Sequence, residues 1–264
     1  MGTAPSPESV VDARRFVKTA ALPAPPPRRR AGAKARAPFD FDAAKEQAAV
    51  VGSDVIAFAT GITPEQRGDV VNATLLAQLV AKRRVPEPKT LPDLISWYEH
   101  YFDVLSRIGF AIQDRGFAEY VEKSDTFEAH EAILEVAATL LAGTPAALAV
   151  VKKTLEALQK MSADSPWITL FHRESQSANT ARFQVSLVNA DEASPFLVSL
   201  VAFGLQATNE ITQVLFFKFH KNTVKLQHHS GKATINAQVL EGVRKDIATK
   251  LGAFATEFVA GLNL

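Results

Sequence analysis

PFLVSLVAFGLQATNEITQVLFFKFHKNTVKLQHHSG, residues 195–231, is the stretch on which the fold turns. Between 196 and 207 apolar side chains occupy both parities: Phe196, Val198, Leu200 and Ala202 on one, Leu197, Val201, Phe203 and Leu205 on the other. A strand of that kind has to be covered on both faces. Residues 211–220 read the same way, with Ile211, Leu215, Phe217 and Phe219 set against Val214 and Phe216. Taking Lys221-Asn222 as a two-residue hairpin loop pairs Phe219 with Val224, Phe217 with Leu226 and Leu215 with His228, which gives one apolar face. Lys218 then opposes Lys225, and His229 falls on the other, wetter face.

Two more strands precede this stretch, at 167–172 and 181–189, joined by a polar loop. In the second, Phe183, Val185 and Leu187 point inward and Arg182, Gln184 and Ser186 outward. Short connections predict an antiparallel meander, because parallel neighbours need long crossovers. Asn236 caps a last helix reaching about 262, with Val239, Leu240, Val243, Ile247, Leu251, Phe254 and Phe258 on one stripe. Upstream of the strands the pattern is helical. It covers 41–60, a helix opened by Thr63-Pro64 and closed after Lys82-Arg83-Arg84, 91–113 with an aromatic stripe, and a pair at 127–142 and 144–161. Gly143 and a Thr144 cap join that pair with almost no loop. The expected fold is therefore α+β. An antiparallel meander sheet of about five strands is covered by helices on both faces, in three layers, with a helical N-terminal half and a long C-terminal helix. Its expected organisation is a disordered basic, Pro-rich tail over 1–38 and a single domain over 39–264, helical at 39–161, sheet at 166–235 and helix at 236–262.

The formal net charge of +1 over 264 residues hides an asymmetry. The first 38 residues carry eight Lys and Arg against Glu8 and Asp12, while the remainder is mildly acidic. Arg28, Arg29 and Arg30 head the basic run and are candidate docking residues for an acidic neighbour. Residues 9–22 allow a short amphipathic helix. The N-terminus has no apolar run of the signal-peptide kind, so export would need another route, and the compartment stays open. An organelle-targeting composition and a Gly2/Ser6 myristoylation pattern are both met at the N-terminus, but a solvated linker or docking tail is the plainer reading. The absence of cysteine excludes disulfides, thiolate-bound zinc and cysteine nucleophiles.

Catalytic signatures are missing: there is no phosphate-binding glycine loop, no nucleophile elbow and no histidine pair at metal spacing. His228 and His229 are adjacent on a strand and point to opposite faces, so they cannot chelate one ion together. No metal or cofactor is expected. His172, Glu174 and Ser175 form the densest polar group and could supply base, carboxylate and hydroxyl to a hydrolase, although a polar hairpin loop has the same composition. Basic residues without interleaved aromatics lead to no specific nucleic-acid binding. Residues 136–151, VAATLLAGTPAALAVV, are apolar but too short and too interrupted for a transmembrane helix. They fit a buried helical hairpin, or one that can leave the sheet for a bilayer. In the latter case Val136, Leu140, Leu141, Leu148 and Val151 are the lipid-contacting residues.

Helices, then a sheet covered on both faces, then a helix: this layer order resembles that of Cyt-type cytolysins and related bacterial virulence factors. The resemblance implies a non-enzymatic protein of toxin or effector type that meets lipid, by detaching helical hairpins from the sheet. Two other readings stand beside it: a self-associating structural or interaction protein with a docking N-terminal tail, and the hydrolase. A lipid carrier would need an elongated apolar cavity between helices and sheet, while a close-packed interior favours the structural reading.

Overall fold

The computed structural model describes residues 7–25, 40–113, 116–120, 126–142, 144–190, 194, 196–208, 211, 218–220 and 223–264. In chain order the elements are α1 (Pro7–Thr19), β1 (Gln47–Val51), β2 (Asp54–Phe58), α2 (Pro64–Arg84), α3 (Leu91–Arg107), β3 (Phe110–Ile112), β4 (Ala118–Glu119) and β5 (Thr126–Glu128). There follow α4 (Ala129–Leu140), α5 (Pro145–Gln159), α6 (Pro166–Ser175), β6 (Gln176–Ser177), β7 (Thr180–Asn189), β8 (Leu197–Ala207) and β9 (Lys218–His220). The chain closes with β10 (Val224–Ile235), α7 (Ala237–Leu251), α8 (Ala255–Phe258) and β11 (Val259–Asn263).

The α+β expectation holds, with helices on both faces of the sheet. One core lies between the sheet and α2, α3 and α7, with α1 packed on α7 and α3, and sets Trp97, Tyr101, Leu75 and Val243 against Ile56, Val188 and Val198. The other lies between the sheet and α4, α5 and α6, with Ile133, Val151 and Phe171 against Val55, Phe183 and Phe203. The parity of β8 explains why two cores are needed, since Val198, Leu200 and Ala202 belong to the first and Val201, Phe203 and Leu205 to the second.

The sheet differs from a five-stranded meander. Among the described residues nine strands make it, in the order β11-β1-β2-β7-β8-β10-β3, with β4 against β10 and β6 against β7. β2 and β7 are parallel, Val55 opposite Val185, and the whole helical run from α2 to α6 supplies the long crossover that parallel pairing requires. β10 pairs directly with β8, placing Val224 opposite Ala207, Leu226 opposite Leu205 and His228 opposite Phe203. Phe219, predicted opposite Val224, lies in β9 opposite Phe127 of β5, while residues 212–217 and 221–222, with the predicted partners Leu215 and Phe217, lie outside the described residues.

Four element assignments are corrected. Residues 47–58 are the hairpin β1–β2, not helix: two runs rich in Val and Ile flank Gly52-Ser53, and Gly52 takes φ 55 to make the turn. Residues 166–175 are helix rather than strand, because Ser165 accepts from Ile168 N at 3.3 Å and Pro166 sits at the first helical position. α3 stops at Arg107, where Gly109 turns at φ 106 into β3. α7 stops at Leu251, and the chain returns through α8 as β11, an edge strand on β1. Residues 7–19 take up the short amphipathic helix allowed at 9–22. They form α1, whose Ala13 and Val17 are buried against the first core, enough apolar surface to order that segment. Arg28, Arg29 and Arg30 lie outside the described residues.

Candidate functional site

α4 and α5 form the expected antiparallel hairpin over the second core. Pro145 opens α5, but Thr144 does not cap it; its hydroxyl donates to Leu141 O at 2.8 Å instead. Gly143 lies outside the described residues. Of the predicted lipid-contacting residues, Val136, Leu141 and Val151 are buried toward the sheet, while Leu140 and Leu148 are half-buried at the tip. The outward side of that tip is Ala138, Thr139, Ala142, Pro145, Ala146 and Ala149, all exposed. No charge occurs anywhere in 136–151, on either side of the hairpin. Charges begin where the tip ends: Glu135 receives a hydrogen bond from the Tyr120 hydroxyl at 2.5 Å, and Lys153 reaches Glu46 at 2.9 Å. At about 1.5 Å per residue the uncharged part of each helix is on the order of 10 Å deep.

His172, Glu174 and Ser175 sit on the last turn of α6, not in a loop. Burial pushes the Glu174 carboxyl up, but Lys82 Nζ and Arg173 Nε, each at 2.8 Å, more than offset that and hold it below its ordinary value. Ser175 is buried, with no hydrogen-bond partner for its hydroxyl among the described residues. His172 is pushed down by burial. Among the described residues no hydrogen bond joins these three side chains, so base, carboxylate and hydroxyl are not assembled into a relay.

A different polar group, which the sequence reading placed toward water, is enclosed beneath α2 and α3. Arg182, Gln184 and Ser186 on β7 and His229 on β10 are all buried. The Arg182 guanidinium lies 4.6 Å from the Trp97 ring centre, Gln184 Oε1 accepts from Ser53 Oγ at 3.1 Å, and Ser186 Oγ lies 2.9 Å from Asp54 Oδ2. Asp54 is fully buried and, among the described residues, has no cation paired with it; desolvation raises its carboxyl to about 7, against a smaller opposing pull from Ser186. Strict alternation in β7 marked one face as polar, but only the aromatic stripe of α3 could have shown that something covers that face. Between this group and the helices remains a cavity of about 10 Å³, lined by Thr74, Tyr101, Ser186 and His229 among apolar side chains. It has room for about one water, so no acyl chain fits there.

No group of three or more metal-ligating side chains is drawn together among the described residues, and no described helix is long and apolar enough to cross a membrane. The fold and its sites thus define an α/β/α protein with a helical hairpin, uncharged over 136–151, on one face and a closed polar core on the other. No protein-family model matches the chain, and no curated protein matches it. Among solved structures it is similar to one described as the structure of the Evf virulence factor, at TM-score 0.36 and 8% identity, covering 77% of this chain and 82% of that one. A delta-endotoxin is similar at TM-score 0.34 and 15% identity, covering 76% of this chain and 88% of that one. Likeness at this level says nothing about activity.

Proposed function

We propose that the protein is a non-enzymatic, lipid-interacting protein of toxin or effector type, and that the α4–α5 tip is what meets the membrane. One observation carries this reading: sixteen consecutive residues, 136–151, carry no charge, although Ala138, Thr139, Ala142, Pro145, Ala146 and Ala149 among them are exposed. A surface hairpin that meets only water has no need to be free of charge on its outer side. The uncharged depth matches shallow insertion into the boundary between headgroups and acyl chains, about 5–10 Å, rather than a span. Lys152 and Lys153, just behind the tip and exposed, would meet anionic headgroups by exchanging their surface partners Glu156 and Glu46 for lipid.

Co-sedimentation with neutral and anionic vesicles tests it. The wild-type chain is expected to bind, more tightly to anionic vesicles. Ala146→Glu, a change at an exposed position, is expected to weaken binding about tenfold by placing a charge in the boundary layer while leaving thermal stability unchanged. No binding to either vesicle, or equal binding by the variant, removes the reading.

A further inference from the structure

α1 is a fourth layer outside the three that enclose the sheet. It packs on α7 and α3, whereas the first core's sheet face is already covered by α2, α3 and α7. Its apolar side places Val10, Ala13 and Val17 toward the body, and the helices approach closely at one point. A Cβ added to Gly242 of α7 would stand 2.5 Å from Val10 Cγ1. Polar ties flank this contact: Arg14 Nε to Asp246 Oδ2 at 2.9 Å, Lys250 Nζ to Lys18 O at 3.0 Å, and the Arg107 guanidinium 5.3 Å from the Phe16 ring centre. Basic α1 on acidic Asp246 fixes the orientation as well as the contact.

We propose that α1 is an exchangeable element, and that the groove on α7 and α3 also accepts α1 of a second copy of this chain, so that the protein self-associates by swapping its N-terminal helix. Every contact above is as available to a neighbouring copy's helix as to the chain's own, because α1 and its groove are linked only by the chain between Thr19 and Gln47. The fourteen residues 26–39 alone can span up to about 50 Å, enough to reach an adjacent molecule. The balance is one of concentration. The chain's own helix competes at an effective concentration of roughly 1 mM, so at about 100 μM protein about a tenth of the grooves hold a partner's helix. This surface lies on the opposite sheet face from α4–α5, so neither result decides the vesicle experiment.

The cysteine-free sequence allows a direct test with the full-length chain. An added Cβ at Gly242 lies 3.7 Å from Val10 Cβ, the separation found in disulfides. The double variant Val10→Cys with Gly242→Cys, oxidised at about 1 μM, where the chain's own helix outcompetes a partner's, is expected to close an intramolecular disulfide. When Val10→Cys and Gly242→Cys chains of different mass are mixed, a disulfide between those two positions forms only across chains. Mixed dimers are expected to exceed the half share of random pairing, and their yield is expected to rise severalfold between about 10 and 100 μM. Gly242→Cys crowds its own Val10, which favours the incoming helix. Mixed dimers at the random share at every concentration, or a double variant that forms no intramolecular disulfide, overturn the proposal.

Discussion

Asp54 shows what a single enclosed carboxyl does to the stability of this fold. Its folded value of about 7 lies above the roughly 3.9 of an unfolded aspartate. Below about pH 4 both states hold the proton, and the native state has its full stability. As pH rises toward 7 the unfolded chain has released the proton that the native chain keeps, so unfolding free energy falls by about 1.4 kcal/mol per pH unit, on the order of 4 kcal/mol in all. Above 7 both states are ionised and the loss stops. Asp54→Asn keeps the shape and can still accept from Ser186 Oγ, but does not titrate. Urea unfolding at pH 5 and pH 8 is expected to show the variant gaining on the parent by a few kcal/mol at the higher pH; an equal difference at the two pH values would contradict the assignment of a neutral, buried Asp54. Nothing in the sequence marked Asp54, because its neighbours Val51, Val55 and Ile56 fit a helix as readily as a hairpin until Gly52-Ser53 is read as a turn.

At the scale of elements, the β1–β2 turn depends on a side chain from α2. Gln78 Oε1 accepts from Ser53 N at 3.0 Å, and Gln78 Nε2 donates to Val51 O at 2.7 Å, so one amide satisfies both sides of the turn. Gly52→Ala would put a Cβ 2.2 Å from Gln78 Oε1 in a left-handed backbone conformation. A cost of about 2–5 kcal/mol is expected, from about 1–2 for the conformation and about 1–3 for the displaced buried hydrogen bonds. In a Gln78→Ala background the second contribution is already lost, so the same substitution should cost measurably less in urea unfolding; strict additivity would show that the clamp plays no part. Elements announced by their ends were legible in the sequence. Thr63 does cap α2 with a reciprocal bond to Gln66, Asn236 does cap α7, and Pro145 does open α5. α6 carries the same Ser-Pro signature and was missed because its apolar residues were read at period two. The order of the sheet was not legible, since pairing β8 with β10 past residues 208–223 depends on partners remote in sequence. The candidate site was legible as an uncharged hairpin, 136–151, but not in its division into sheet-facing Val136 and Val151 and half-exposed Leu140 and Leu148.

Across the whole molecule the two helical layers are tied to the sheet by different means, and this decides which can move. On the α2–α3 side the Tyr98 hydroxyl lies 3.0 and 2.9 Å from the carbonyls of Phe183 and Phe203, Thr180 Oγ1 donates to Pro88 O at 2.8 Å, and buried Arg67 donates to Ile62 O, Gln47 Oε1, Lys45 O and Ala59 O. Lifting that layer would strand buried polar groups, each costing about 1–3 kcal/mol. On the α4–α5 side the contact with the sheet is apolar, made by residues such as Ile133, Val136, Val150, Val151, Leu155 and Leu158, and the ties Lys153–Glu46 and Tyr120–Glu135 lie at exposed positions. Parting an apolar contact leaves no hydrogen-bonding group stranded, and exposed pairs hold little. Native-state amide exchange is therefore expected to show the amides of α4 and α5 opening at least about tenfold more readily than those of α2, β7 and β8, which corresponds to about 1.4 kcal/mol. Exchange of both layers at the rate of global unfolding would mean that the hairpin does not leave the sheet on its own, and a lipid surface could then engage nothing more than its exposed tip.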